Sequence, residues 1–341
     1  MGAVIPNDLK ETDFNRYLKS AGLNMVFQGK TRDMYDFDSN LLIVASDRLS
    51  IFEFVLNTAV PRKGEVLTAL VHFWLTNVLS NFQHHLVEST TKPGCNAVHD
   101  LISSYPDLPI ERSLVIKKVN ILPFELIFRH HIGGSVYKKY LETGMAGGQE
   151  LTPNLPKWSK LDTPIFTPST KEETGHDINI DADFFLDKYG EHGKRLVDMY
   201  TEGYKQAYAY AEERGILILD TKFEGDFFLF ADEVITPDSS RFCDVDNWRA
   251  AMEDNIEPAF LDKQVVREWG LTVGTPFEKE GRKIIGLKNL DPENKKHIKW
   301  VHKLPVPDEI IEETMNRYLT IFERLTGEKL DHYQKHEMKI Q

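Results

Sequence analysis

Cysteine is scarce: Cys95 and Cys243 are the only two in 341 residues. Two distant cysteines make neither a disulfide framework nor a cysteine-based metal site, and they suit a reduced compartment. No apolar run approaches the ~20 residues that a membrane-spanning helix needs. The start, MGAVIPNDLKETDF, lacks the basic and apolar regions of a secretory signal, and Pro6 stands where myristoylation of Gly2 requires Ser or Thr. Positive charge is in deficit, with 41 Lys and Arg against 53 Asp and Glu and a formal charge of −12. That excludes general nucleic-acid binding but not a local basic pocket for a phosphorylated small molecule. The expectation is a cytoplasmic protein with no nucleic-acid or membrane partner, whose oligomeric state the sequence does not set.

What is present is ordinary for a globular chain: 41% hydrophobic and 28% charged residues, enough for one large body or two to three subdomains. Short strands are expected around Val26-Phe27, Met34–Phe37, Leu41–Ala45 and Glu53–Leu56. Leu67, Leu70, Val71, Trp74, Val78 and Phe82 recur at helical spacing. Leu114–Val119 alternates as a strand does. Residues 144–180 are rich in Gly, Pro, Thr and Ser and read as long loops. A helix over about 190–214 buries Leu196, Met199, Tyr200, Gly203, Tyr204, Ala207 and Ala211 and stops at Gly215. Ile216–Leu219 and Phe227–Phe230 flank Gly225-Asp226, a favoured hairpin turn pair. From about 246 the pattern is helical, ending in 307–326. The mixture predicts an α+β fold with an antiparallel sheet.

Chemistry-bearing residues gather in four places. Gly29-Lys30-Thr31 resembles the end of a P-loop, but Asn24 stands where its first glycine belongs and strands follow it. A glycine turn between strands can still lay amides along phosphates, with Lys30 as a point charge; the plainer reading is a surface turn. Arg129 precedes Gly133-Gly134-Ser135, a grouping able to grip a carboxylate or phosphate, or simply an exposed arginine before a glycine-rich stop. Phe166–Lys171 and Gly175-His176-Asp177 place hydroxyls, a cation, an imidazole and a carboxylate on one loop, which could equally be a solvated loop. Asp220, Lys222 and Glu224 alternate and so share one sheet face, with Asp232 and the Asp238-Ser239-Ser240-Arg241 turn downstream. Acids flanking a lysine suit magnesium and phosphate; a polar edge strand is the alternative.

Taken in order, GKTRDMYDF, ASDRLSIFE, KGEVLTAL with HFW, LPFELIFR with GGS, FTPSTKEETGHD, LDTKFE, ADEVITPDSSRF and LDKQVVREW resemble the SAICAR synthetase family (phosphoribosylaminoimidazole-succinocarboxamide synthases). The resemblance runs from about Gly29 to Trp269. It implies an ATP-dependent ligase of de novo purine biosynthesis. The family joins L-aspartate to 5-amino-1-(5-phosphoribosyl)imidazole-4-carboxylate through an acyl phosphate, releasing ADP and phosphate. It also implies a fold related to ATP-grasp and kinase-like nucleotide sites. The expected regions are an antiparallel β domain over 1–112 carrying the phosphate loop, an α/β ATP- and substrate-binding region over 113–245, and a helical region over 246–341. By resemblance, Lys30, Lys222 and Arg241 are catalytic; Asp47, Ser50, Arg129, Ser135, Lys171, His176, Asp177, Asp238 and Ser239 bind substrate. Gly29, Lys30, Lys117, Glu224 and Asp232 hold ATP, and Glu224 and Asp232 hold Mg²⁺.

The chain departs from the family pattern at Gly133, usually Thr or Ala, and at Glu53, usually Asp. The weightier departure is Glu224-Gly225-Asp226. A two-residue turn there would set Asp232 opposite Leu219, beside Asp220, and leave Glu224 some five residues away, or ~17 Å along the strand. Either the hairpin bends differently and keeps the family geometry, which the preserved DTKFE segment favours, or Asp220 replaces Glu224 at the metal. That shortened hairpin supports a second reading, a catalytically weak nucleotide-binding relative acting as a regulatory or interaction module. A small-molecule kinase is a third reading, and it lacks H-R-D and D-F-G motifs.

Overall fold

The computed structural model describes residues 4–171 and 178–340. His176 and Asp177 lie outside the described residues. Helices α1 (Asn7–Lys10) and α2 (Asp13–Ser20) lead into β1 (Met25–Gln28), β2 (Arg32–Phe37) and β3 (Asn40–Ala45). A hairpin follows, β4 (Arg48–Ile51) with β5 (Phe54–Ala59), and then α3 (Lys63–Phe73), which passes into a π turn over Trp74–Val78. Strand β6 (Ser113–Lys117) pairs with β3, completing an antiparallel sheet of order β1-β2-β3-β6. A segment assigned from sequence to the second region therefore hydrogen-bonds within the first sheet. Glu53, expected in a strand, instead forms the β4–β5 turn with Phe52, both left-handed at φ 69 and 49.

The second sheet begins with β7 (Phe124–His131), followed by α4 (Ser135–Thr143). Residues 144–180 are not simply loops. They hold the small hairpin of β8 (Met145–Ala146) and β9 (Gln149–Glu150), then β10 (Lys160–Phe166) and β11 (Ser169–Thr170), both paired with β7. Pro164 disguised β10, and proline is tolerated there because β10 is an edge strand with irregular register. Helix α5 (Ala182–Glu212) starts earlier than its stripe suggested because a kink at Gly190 joins two helical pieces. Strands β12 (Ile216–Gly225), β13 (Phe230–Ala231) and β14 (Ser240–Asp244) complete a six-stranded sheet, with β12 between β7 and both later strands. Leu196, Tyr200, Tyr204, Ala207 and Ala211 of α5 pack on Phe128, Ile218 and Phe223 of that sheet in the main core. Periodicity of 3.6 against periodicity of two made these faces readable.

The C-terminal part contains α6 (Val245–Glu253) and α7 (Gln264–Thr272), then a hairpin of β15 (Gly274–Lys279) and β16 (Arg282–Ile285) where only helix was expected. Helices α8 (Lys295–Val301), α9 (Asp308–Thr326) and α10 (Leu330–His336) close the chain. Val266 of α7 and Val301 of α8 share a core with Leu49 and Leu56 of the β4–β5 hairpin, so the C-terminal elements hold that hairpin in place.

Candidate active site at the junction of two cavities

The Gly29-Lys30 loop closes the β1–β2 hairpin, with Gln28 paired to Asp33 and the Gly29 amide donating to the Arg32 carbonyl at 2.7 Å. A Cβ on Gly29 would lie 3.0 Å from both that carbonyl oxygen and the Phe27 ring, so glycine suits this close approach. Buried Arg48 anchors the loop from beneath. Its Nη2 donates to the Gly29 carbonyl at 2.9 Å and pairs with Asp33 at 2.5 Å. Lys30 is half-exposed and ion-paired with Glu53 at the β4–β5 turn.

The loop overhangs a cleft of about 1640 Å³. Met34, Leu41, Ile43, Ile116 and Ile121 give this cleft an apolar stretch; Lys30, Lys117, Lys171, Lys222, Glu224 and Asp232 give it charge. An apolar slot beside a set of cations suits a base and its phosphates. A second cavity of about 370 Å³ adjoins it, lined by Ser50, Arg129, Asp220, Asp238, Ser239, Arg241, Lys263 and Arg267 among others. Lys30, Thr31, Glu53, Glu125, Lys222 and Glu233 line both.

Sheet register builds the inner cavity. Asp220 on β12 lies opposite Arg129 on β7 and opposite Arg241 on β14. The buried carboxylate accepts from Arg241 Nη1 at 2.5 Å and pairs with Arg129, whose Nε donates to Thr167 Oγ1 at 2.8 Å. Burial works against charge on Arg241, but Asp220 holds its pKa above the usual value. The Gly133-Gly134-Ser135 turn presses on the same pair. A Cβ on Gly134, which is left-handed at φ 63, would lie 3.1 Å from Arg241 Nη1 and 3.3 Å from Arg129 Nη1. Asp238 is a second shared acid, accepting from Lys63 Nζ at 2.7 Å and Thr31 Oγ1 at 3.2 Å and also bonded by Tyr318. Burial opposes its ionisation, yet Lys263 and Lys63 hold it well below the ordinary carboxylate range. Lys263 itself is lowered to about 8 by burial, against the pull of Asp238.

A two-residue turn at Gly225-Asp226, the alternative to the family geometry, does not form. Glu224 pairs with Ala231 and Gly225 with Phe230, leaving residues 226–229 as the connection. Gly225 stays outside the left-handed region that a type I′ turn requires. Its lack of a side chain serves Tyr200 instead: a Cβ there would be 1.8 Å from the Tyr200 hydroxyl, which donates to the Leu229 carbonyl at 2.8 Å. Asp226 Oδ1 caps the connection, accepting from the Phe228 and Leu229 amides at 2.8 and 3.0 Å. Aromatic packing thus overrides local turn propensity. In this register Asp232 lies next to Glu224's partner rather than beside Asp220. Burial first, and Glu224 second, raise the Asp232 pKa to about 6. Asp220 is committed to two arginines, and the shortened hairpin that supported a non-catalytic reading is gone.

Gly29, Lys30, Lys117, Lys171, Lys222, Glu224 and Asp232 therefore line the cleft, and Ser50, Arg129, Asp238, Ser239 and Arg241 line the inner cavity. Lys171 pairs with Glu224, and Lys222 with Glu125 at 2.6 Å. Asp47 is not brought to either cavity. It accepts from the Gly64 amide at 2.8 Å, at the start of α3, and pairs with Arg112 at 3.1 Å. Ser135 begins α4 outside both linings, with Oγ 3.5 Å from Asn179 Oδ1. Glu125, Glu233, Lys63, Lys263 and Arg267 were not singled out from sequence. Two signals could have found three of them: Glu125, Ile127 and Arg129 alternate on one strand face, and Lys263 and Arg267 stand four apart at the start of a helix.

The chain is similar to known proteins over most of its length. The family model described as SAICAR synthetase matches residues 25–284. A phosphoribosylaminoimidazole-succinocarboxamide synthase of Thermodesulfovibrio yellowstonii is 36% identical over 314 residues, covering 90% of this chain and 96% of the relative. One of Corynebacterium diphtheriae is 38% identical over 313 residues, covering 89% and 94%. The solved structure of the Saccharomyces cerevisiae SAICAR synthase complexed with SAICAR is 30% identical, covers 94% of this chain and 99% of that one, and superposes with a TM-score of 0.73.

Proposed function

The chain belongs to the SAICAR synthetase family, ATP-dependent ligases of purine biosynthesis, and from that premise we propose how its residues divide the reaction. ATP occupies the cleft, with its base in the apolar stretch and its phosphates under Gly29 and Lys30. The ribonucleotide occupies the inner cavity, its phosphate held by Arg129, Arg241 and Ser239. Lys263 and Arg267 complete a basic wall for the carboxylates of L-aspartate, whose charge would restore full protonation of Lys263. Lys30 and Lys222 carry this reading, because they line both cavities and so stand where the transferred phosphoryl group must cross.

An amide does not form from a carboxylate and an amine until the carboxylate is activated. A carboxylate oxygen of the imidazole substrate attacks the γ-phosphorus, the bond to the β-phosphate oxygen breaks, and ADP leaves. The aspartate amine then attacks the acyl carbon, phosphate departs with its oxygen, and the nitrogen sheds a proton. Such steps depend on positioning and on neutralising charge. Lys30, Lys171, Lys222 and Arg241 supply that charge from this chain. The acidic partners of the three lysines hold them until phosphates and carboxylates replace the pairing, while Arg241 stays fixed on Asp220.

Glu224 and Asp232 fit Mg²⁺. Burial first, and the Glu224 carboxylate second, disfavour charge on Asp232, and a divalent cation there would offset both. Among the described residues no group of three or more potential ligands is assembled. Two carboxylates with phosphate and water completing the shell is the usual arrangement for Mg²⁺ on a nucleotide. The bound ion would neutralise phosphate charge. A cytoplasmic location, with no nucleic-acid or membrane partner, accords with small soluble substrates and an acidic chain.

ADP release measured with the imidazole carboxylate present, with and without L-aspartate, tests the proposal. Release requiring Mg²⁺ and both acceptors, with an amide product, is expected. Turnover on an unrelated hydroxyl acceptor alone would overturn it.

A further inference from the structure

His85 lies at the seam between the two sheets. Its amide donates to the Phe230 carbonyl at 3.0 Å and its carbonyl accepts from Lys117 at 2.7 Å, so residues 83–85 bridge β13 to β6 across the back of the cleft. The side chain is 1% exposed and belongs to the cleft lining. Its Nδ1 accepts the backbone N–H of Asp232 at 3.2 Å. With Nδ1 accepting, the proton sits on Nε2. That Nε2–H is buried and has no partner among the described residues, and neither has Nη2 of the neighbouring cleft residue Arg32. Buried donors without acceptors are uncommon and call for an explanation.

Asp232 needs holding. Its backbone is left-handed at φ 52, and so is that of Ile235 at φ 48, an unfavourable conformation for a β-branched residue. Trp74 Nε1 donates to the Ile235 carbonyl at 2.8 Å, securing the far side of this turn. His85 secures the near side, at the residue whose carboxylate matters.

We propose that His85 is a positioning residue for the metal–nucleotide site, fixing Asp232 through Nδ1 and offering Nε2–H to an oxygen of the bound nucleotide's phosphates. The inference rests on the assignment of Glu224 and Asp232 to Mg²⁺. Residues that orient metal ligands typically contribute about ten- to a hundredfold to metal affinity or activity. The two nitrogens can be separated by substitution. Asn carries its amide near the position of Nδ1, whereas Gln reaches the position of Nε2. Phe keeps the ring shape and loses both.

ADP binding measured by calorimetry with and without Mg²⁺, in the absence of other substrates, reads the effect without turnover. For His85→Phe, Mg²⁺·ADP affinity should fall about tenfold or more, while metal-free ADP affinity falls less than about threefold. His85→Asn should keep most of the Mg²⁺ enhancement, and His85→Gln should lose it while retaining metal-free affinity. His84→Gln, one residue away and also bordered by Lys117, should behave as the wild type. Asp232→Asn is the reference. If it abolishes the Mg²⁺ enhancement while all three His85 variants keep it, His85 is only a core histidine and the inference fails. If Asp232→Asn also keeps the enhancement, the metal assignment itself is wrong. Should His85→Phe fold poorly, the opposite behaviour of the Asn and Gln variants decides the matter, and equal Mg²⁺ enhancement in both would overturn the inference.

Discussion

The outer cleft and the inner cavity use the same charged residue types in opposite ways. In the cleft, Lys30 pairs with Glu53, Lys171 with Glu224 and Lys222 with Glu125, and these lysine side chains are 38%, 43% and 36% exposed. In the inner cavity, Arg129 and Asp220 are 4% and 5% exposed, and Asp238 is 4% exposed with its partner Lys63, outside the lining, at 1%. A half-exposed pair is screened by water and contributes little to stability, so a phosphate oxygen can replace the carboxylate at small cost. A buried pair was desolvated when the chain folded and is costly to break. On the division proposed above, the cleft would hold exchangeable charges for ATP, which must enter, react and leave as ADP. The inner cavity would hold fixed charges that orient the ribonucleotide beforehand.

The largest effect that would test this contrast is at Asp220. Asp220→Asn leaves two guanidinium groups facing one another without their shared acid. Breaking such a buried pair costs roughly 3–5 kcal/mol, so a marked fall in the urea midpoint is expected, with weaker ribonucleotide binding. Glu224→Gln, in the cleft, should change the unfolding free energy from the same urea titration by less than ~1 kcal/mol yet raise the Mg²⁺ requirement for turnover strongly. Equal destabilisation by the two variants would erase the distinction. A Mg²⁺ requirement raised more by Asp220→Asn than by Glu224→Gln would contradict the observed strand register.

Next in size is Lys30→Ala. Losing a charge-assisted contact to phosphate should cost about 1.5–3 kcal/mol of ATP binding, with ribonucleotide affinity almost unchanged. Separate titrations of the two substrates check this. If ATP affinity and rate both persist, Lys30 is a surface lysine and the exchange picture fails at its first pair.

The contrast also explains which parts could be read from the chain. The Gly29-Lys30 hairpin, the buried stripe of α5 and the shared face of Asp220, Lys222 and Glu224 follow local periodicity, and local rules sufficed. The fixed charges were harder to read because their meaning lies in register. Arg129, Asp220 and Arg241 are ordinary residues until three strands set them side by side. Gly225-Asp226 misled for the converse reason. Its local signal was strong, but Tyr200 packing decided the connection. Asp47 misled through its neighbours, since Ser50 of the same DRLS run lines the inner cavity while the Asp47 carboxylate turns back to cap α3.

The smallest effect is the most discriminating, and it concerns Glu53. The Phe52-Glu53 turn is left-handed at both residues, a geometry that favours Asn, Asp or Gly. A glutamate tolerates it at some conformational cost, and its carboxylate reaches Lys30 of the phosphate loop. If that carboxylate holds the lysine only until ATP arrives, Glu53→Gln removes a competitor. Stability should then move by less than ~1 kcal/mol, as for other half-exposed pairs. ATP affinity should rise by about two- to threefold, because less than ~1 kcal/mol of pairing no longer has to be broken. Calorimetric ATP titration of the Gln variant measures the change directly, with Glu53→Asp retaining the charge on a shorter arm as a control. A fall in ATP affinity instead would mean that Glu53 acts on the bound nucleotide or its metal, making the β4–β5 turn a working part of the site and the Lys30 pair more than exchangeable.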